Sequence, residues 1–326
     1  MEGARGRPAP EAIEMSSTAE PKTLVLSDLH LGRPNATAQA HRFAELAAGF
    51  ERVIVNGDVA ELHHAAFRER AELELSRLRD FVEQKGARLE LVAGNHDAFV
   101  SPVRSLELAG GSVYITHGDA LHPAIAPWSP YAAAMRDAYA TALAASGLGD
   151  DEHRSRLMAA REASLAEWRG LGDGAYISTI GGMAVRPHRA LAVLGYWMRY
   201  PGLVHEWVER YAPHAGTILV GHSHRAFVRT IGGRRIVNTG AYSFPGRPLA
   251  VVIEGTELRV HRIDMERRLF TLSKRPVASW EITPKSPRGA ARDVPRSDPR
   301  PAYADPSARL MNDAASASAA PSTDVR

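Results

Sequence analysis

Five apolar runs rich in Leu, Val and Ile mark the chain, at Lys22–Asp28, Val53–Asp58, Arg88–Ala93, Ser112–Thr116 and Thr217–Gly221. Continuous apolar character over so short a span, rather than alternation, is the pattern of strands buried on both faces. Amphipathic stretches separate the first three runs. Asn35–Gly49 places Phe43, Leu46 and Ala47 on one helical face and ends at Gly49, a residue suited to a helix C-terminus. Ala65–Gly86 repeats Ala71, Leu75, Leu78 and Val82 at helical spacing. Strand, helix, strand, helix, strand predicts an α/β sheet with buried parallel strands.

The pattern changes after Asp119. Residues 122–213 are rich in Ala, Leu, Arg and Trp with no strand signal, and predict a helical insertion. Two hairpins then follow the run at Thr217, one over Arg225–Val237 turning at Gly232-Gly233 and one over Ala250–Ile263 turning at Gly255-Thr256. Pro, Arg, Ala and Ser dominate from Lys274 onward. The expected organisation is therefore a disordered leader over 1–21, one domain over 22–273 and a disordered tail over 274–326.

Composition narrows the chemistry. The chain has 326 residues, 44% hydrophobic and 24% charged, which is ordinary for a globular protein with a substantial core. It has no cysteine, so disulfides and thiolate ligands are excluded and any metal must be held by His, Asp, Glu or Asn. The formal charge is only +3, with much of the excess Arg late in the chain from Arg262 to Arg300, which is weak evidence for an anionic partner; a nuclease would need a basic groove that the sequence does not visibly supply, so a nucleic-acid partner is not expected. No run approaches the roughly 18 apolar residues of a membrane span, and the first residues lack the apolar segment of a signal peptide. A cytoplasmic protein is expected.

Each of the five runs ends in a polar cluster: Asp28-Leu29-His30, Gly57-Asp58, Gly94-Asn95-His96-Asp97, His117-Gly118-Asp119 and Gly221-His222-Ser223-His224. Loops leaving the carboxyl ends of strands in α/β sheets converge on one crevice, so these side chains are expected to meet. Two metal sites can be assembled from them. Asp28, His30, Asp58 and His224 would hold one ion, and Asp58, Asn95, His117 and His222 the other, with Asp58 shared. A mixed imidazole, carboxylate and amide set suits Mn, Fe or Zn better than Ca or Mg. Two such ions about 3.5–4 Å apart can clamp both oxygens of an in-line displacement and activate a bridging water, which is chemistry for phosphate esters. His96 is left over from the ligand count and is assigned to the leaving oxygen as general acid or charge stabiliser, with Glu61 as the group that orients it.

These five clusters, in this order, resemble the calcineurin-like metallophosphoesterase superfamily over about residues 22–264. The resemblance implies a four-layer α/β/β/α sandwich with the helical insertion between the fourth and fifth motifs. It also implies a dinuclear centre, often manganese, and hydrolysis of phosphomonoesters, phosphodiesters or pyrophosphates. Val-Ala-Glu-Leu-His after Asp58 differs from the Asp-Arg-Gly of the protein Ser/Thr phosphatases. The insertion and Glu61 instead resemble the UDP-2,3-diacylglucosamine hydrolases, whose best-known members read Gly-Asn-Arg-Asp where this chain has His96. That branch implies a lipid-linked nucleotide substrate; a small nucleotide or other soluble phosphoester, or a scaffold without catalysis, is the alternative.

Within the insertion, Ala190–Tyr200 is apolar and aromatic and flanked by Arg186, Arg189 and Arg199. It reads either as an acyl-chain lid or peripheral membrane contact, or as a core helix on the sandwich. His63, His64 and His122 read as pocket-lining groups or as exposed histidines, Asp97 and Asp119 as carboxylates that orient loops or metal-bound imidazoles, and Asn238-Thr239-Gly240 as a turn beside the site.

Overall fold

The computed structural model describes residues 20–34, 37–147, 151–171, 187–243 and 246–283. Its strands are β1 (Thr23–Leu26), β2 (Arg52–Asn56), β3 (Arg88–Val92), β4 (Ser105–Leu108), β5 (Val113–Thr116), β6 (Thr217–Val220), β7 (Phe227–Ile231), β8 (Arg234–Asn238), β9 (Leu249–Glu254), β10 (Glu257–Glu266), β11 (Leu269–Leu272) and β12 (Ala278–Glu281). The helices are α1 (Ala65–Gln84), α2 (Ala132–Ala145), α3 (Glu152–Leu171) and α4 (Pro187–Tyr211).

Two mixed sheets result. The first runs β11-β10-β9-β1-β2-β3, with β12 also paired to β10; the second runs β4-β5-β6-β8-β7. At the centre of the first, β1, β2 and β3 are parallel, with Leu24 opposite Val53 and Val53 opposite Leu89. At the centre of the second, β5, β6 and β8 are parallel, with Tyr114 opposite Ile218 and Ile218 opposite Ile236.

Side-chain alternation along each strand explains why the strands read as unbroken apolar runs. Val25, Ile54, Ile115 and Leu219 point between the two sheets into a shared core. Their neighbours Leu24, Leu26, Val53 and Val55 point outward onto Leu75, Leu78 and Val82 of α1. Tyr114, Ile218, Val220 and Ile236 point outward on the second sheet against Tyr200, Val204 and Val208 of α4. At their centres both sheets are thus buried on both faces, which is the four-layer α/β/β/α arrangement. Full burial of one such aliphatic side chain contributes about 1.5–3 kcal/mol.

The insertion is the fourth layer. Tyr196, Tyr200, Val204 and Val208 of α4 are buried against the second sheet, while Leu191, Leu194 and Met198 face outward at 70%, 49% and 69% exposure. The segment is therefore core on one face and an apolar stripe on the other. Arg186 lies outside the described residues, as do residues 1–19 of the expected leader.

Three sequence expectations are corrected. The helix over Asn35–Gly49 is one 3-10 turn at Ala40–Phe43 followed by turns. Phe43, Leu46 and Ala47 are buried as the periodicity required, but no side chain of the preceding Gln39 caps the segment; Glu74 of α1 reaches over to accept from the Ala40 N–H instead. The strand β4 is also absent from the sequence reading, because Ser105–Leu108 carries only two apolar residues and sits at a sheet edge. Finally, order extends beyond Lys274: β12 pairs with β10, Leu258 opposite Trp280, and Trp280 and Ile282 are buried between the sheets. Residues 284–326 of the expected tail lie outside the described residues.

Candidate metal centre

The carboxyl ends of β1, β2, β3, β5 and β6 deliver the five polar clusters to one place. Backbone hydrogen bonds continue beyond the first two strands, from Asp28 N to Gly57 O at 3.0 Å and from His30 N to Asp58 O at 2.9 Å, so these loops stay in register. Asp28, His30, Asp58, His222 and His224 all adopt positive φ, between 49° and 63°. Left-handed backbone at a non-glycine residue is uncommon and concentrates at functional sites. Its role here is geometric: it turns each side chain sharply off its strand end toward the same point.

Two glycines of the motifs are needed for the same convergence. A Cβ at Gly57 would lie 2.2 Å from His117 Nδ1, and one at Gly94 would lie 2.2 Å from Asp58 Oδ1. The signature glycines therefore leave space for side chains belonging to other clusters.

The structure brings together Asp28, His30, Asp58 and His224 as one donor group, and Asp58, His117 and His222 as a second, each with its donor atoms within 4.8 Å of one another. Asn95 joins the second through Oδ1, which is 3.0 Å from His222 Nδ1. Outward hydrogen bonds fix the rings. His117 Nδ1 donates to Asn56 O at 2.9 Å and His222 Nε2 donates to Ile125 O at 3.1 Å, so the outer nitrogens are engaged by backbone and the inner ones are left to face a metal.

Several inward atoms fit a metal. Buried His117 Nε2 has no hydrogen-bond partner, and it lies 3.3 Å from Asp58 Oδ2. His30 Nε2 and His224 Nε2 face each other at 2.9 Å. Converging imidazole nitrogens and buried carboxylates, all O and N donors, fit a divalent transition metal.

His96 and Glu61 are placed differently. His96 Nδ1 is 3.0 Å from Glu61 Oε2, and its Nε2 looks inward, 3.9 Å from Asp58 Oδ2. Glu61 is buried and holds more than His96: His30 Nδ1 at 2.9 Å and Arg33 at 2.6 Å on Oε1, and His63 Nδ1 at 3.2 Å on Oε2. His30, Glu61 and His96 form a third potential donor group, but the Arg33 guanidinium already occupies that carboxylate.

Electrostatics of the ion-free protein follow from burial set against these partners. Burial opposes charge on Asp58, yet His117 and His96 hold its carboxyl well below the usual range. Burial likewise opposes charge on His117 and His96, but Asp58 overcomes it and raises them to about 10 and about 9. Burial dominates elsewhere, pushing His30 and His222 down to about 4 and Asp28 up to about 7.

The remaining candidates turn out to be supports. Asp97 accepts from the N–H groups of Gly94 at 2.7 Å and Val59 at 2.5 Å, tying the second cluster to the third. Asp119 pairs with buried Arg104, which also donates to Gly94 O at 3.1 Å. His64 Nδ1 caps α1 by accepting from Ala66 N at 3.2 Å, and His122 Nδ1 accepts from Ala124 N at 3.1 Å. Asn238 braces the fifth cluster from behind, donating to Gly221 O at 2.7 Å and Ser223 Oγ at 2.9 Å. Trp197, within the aromatic Ala190–Tyr200 segment, donates to Ser223 O at 2.8 Å. Arg33, Arg104 and Trp168 were not singled out in the sequence, because their partners are distant along the chain and no spacing announces them.

Two donor groups sharing one carboxylate, at the strand ends of an α/β/β/α sandwich, have the composition of a site for divalent metal. Residues 22–147 match the family model described as the calcineurin-like phosphoesterase superfamily domain. Among curated proteins none matches. Similar solved structures include a dimetal phosphatase from Danio rerio, 10% identical, covering 82% of this chain and 100% of its own, with TM-score 0.41. The phosphoesterase YfcE from E. coli is 14% identical, covering 80% and 99%, with TM-score 0.36. Vps29 from Entamoeba histolytica, in complex with Zn2+, is 14% identical, covering 77% and 97%, with TM-score 0.35.

Proposed function

We propose that this chain is a metal-dependent phosphoesterase working with two divalent ions, manganese first among them, on a phosphate ester or pyrophosphate. The observation that carries the reading is the sharing of Asp58 between the two donor groups, with His96 beside them and not needed in either. Divalent ions held there supply Lewis-acid charge for a phosphoryl oxygen and lower the pKa of water toward neutrality. The residues of the chain do the rest. Asp28, His30, Asp58 and His224 hold one ion, and Asp58, Asn95, His117 and His222 the other. Glu61 grips His96 at Nδ1, so Nε2 is the atom presented to the leaving oxygen, where it donates a proton or a hydrogen bond. Arg33 neutralises Glu61 from its other oxygen, at 2.6 Å from Oε1.

Within this reading, an ester carrying an acyl chain is the substrate favoured by the outward stripe of Leu191, Leu194 and Met198 on α4. The same stripe favours peripheral contact with a lipid surface. No described helix is long and apolar enough to cross a membrane.

The test is hydrolysis of p-nitrophenyl phosphate and bis-p-nitrophenyl phosphate by the full chain, with Mn2+ added or chelated, beside Asp58→Asn. Metal-dependent turnover abolished by the substitution is the expected result. Absence of turnover with every divalent ion and with detergent-solubilised as well as soluble esters would overturn the catalytic reading in favour of a scaffold.

A further inference from the structure

The two donor groups lean on different helices of the insertion. The first has Glu61 2.9 Å from His30 Nδ1, the His222 N–H donating to Asp28 Oδ1 at 3.0 Å, and the Trp197 indole N–H of α4 donating to Ser223 O, next to His224, at 2.8 Å. The second leans on α3 and on the segment ahead of α2. Ile125 O, ahead of α2, accepts from His222 Nε2 at 3.1 Å, and the Trp168 indole N–H of α3 donates to Asn95 O at 3.0 Å.

Trp168 is the more informative of the two because its contact is made by a side chain. Asn95 sits in the loop after β3, between Gly94, whose N–H is held by Asp97, and His96, whose N–H donates to Asp58 Oδ1 at 2.9 Å. Its carbonyl is what the indole holds, and its amide oxygen is the one aimed at His222 Nδ1, 3.0 Å away. Fixing the peptide on the carboxyl side of Asn95 limits where that amide can swing. The indole is itself held edge-on by Phe99, with ring centroids 5.7 Å apart.

From this geometry we infer that Trp168 is a positioning residue for the Asn95/His222 half of the metal centre, so that the insertion is part of the metal-binding apparatus as well as the outer layer of the second sheet. The inference rests on the dinuclear reading above. It assigns the two ions different dependence on α3: the ion at Asp28, His30 and His224 is independent of it, and the ion at Asn95, His117 and His222 depends on it. Loss of an orienting partner behind a metal ligand typically costs 10–100-fold in affinity.

The experiment is Mn2+ titration of chelator-treated full-length protein by calorimetry and electron paramagnetic resonance, comparing wild type, Trp168→Phe, Trp207→Phe, Asn95→Ala and the Trp168→Phe/Asn95→Ala double variant. Phenylalanine at 168 keeps the ring contact and removes only the N–H. Trp207→Phe is the control, because that indole donates to Tyr114 Oη at 3.2 Å, away from the metals. Wild type should take up two ions as a spin-coupled pair. Trp168→Phe should bind its first ion unchanged and its second about 10–100-fold more weakly. Trp207→Phe should bind as wild type does, and Trp168→Phe should add nothing to Asn95→Ala. Equal weakening of both ions, unchanged binding of both, or an additive loss in the double variant would each overturn the assignment while leaving the dinuclear reading intact. A wild type that takes up a single ion would instead overturn the dinuclear reading and this assignment with it.

Discussion

Gly94→Ala adds one methyl group to the chain and should act almost entirely at the metal centre. The added Cβ would lie 2.2 Å from Asp58 Oδ1, 2.5 Å from Asp58 N and 3.0 Å from Asp58 Cγ. An ordinary carbon–oxygen contact needs about an ångström more than the shortest of these. Asp58 cannot rotate away freely, since its Oδ1 accepts from His96 N and its Oδ2 faces His117. The loops after β2 and β3 must therefore separate, and overpacking of that kind costs about 1–3 kcal/mol. This is survivable for a fold whose net stability is about 5–15 kcal/mol. Function is more sensitive, because displacement of a catalytic constellation by about 1 Å can cost 10²-fold. The expected outcome is a folded protein with a urea midpoint lowered by the equivalent of about 1–3 kcal/mol and kcat/KM on the p-nitrophenyl esters reduced about 100-fold or more. Gly195→Ala is the matched control: it lies within α4 with nothing near its Cβ position, and should be neutral or stabilising by up to about 1 kcal/mol. Wild-type turnover and metal content in Gly94→Ala would refute the argument that this glycine makes room for the shared carboxylate.

Three further predictions can be checked on the same material. His96→Asn should retain both ions by metal analysis while kcat falls about 10²–10⁴-fold; loss of metal instead would make His96 a ligand. Truncation after Lys274, compared with truncation after Thr283, removes buried Trp280 and Ile282 and should cost at least about 3–5 kcal/mol in denaturant unfolding; equal midpoints would restore the shorter domain boundary. In chelator-treated protein, His96 and His117, raised to about 9 and about 10 by Asp58 against burial, bind protons that the unfolded chain releases near its ordinary 6.5. Their contribution is complete below that value and is lost as pH rises through 9 to 10, so the melting temperature should fall across this range. Mn2+ should remove the His117 share of the profile, since a bound imidazole has already given up its inner proton; a flat profile without metal would contradict the site electrostatics.

The sequence alone determined the element types at the centre of the fold and the residues that meet there. Val25, Ile54, Ile115 and Leu219 lie in strands buried on both faces, and that burial is written locally as unbroken apolar runs. A polar cluster directly after such a run has little choice of location, because the carboxyl ends of parallel strands face one crevice. Asp28, Asp58, Asn95, His117 and His222 were legible for that reason. What the tertiary structure decided are the pairings between distant, weakly patterned segments. Arg33 and His63 converge on Glu61, Arg104 meets Asp119, Trp168 reaches Asn95, and Trp280 closes the space between the sheets. Each is a single side chain whose partner is set by packing, and edge strands such as β4 and β12 bury too few residues to leave a periodic trace. Periodicity reports which face of an element is buried; it carries no record of what lies on the other side of the contact.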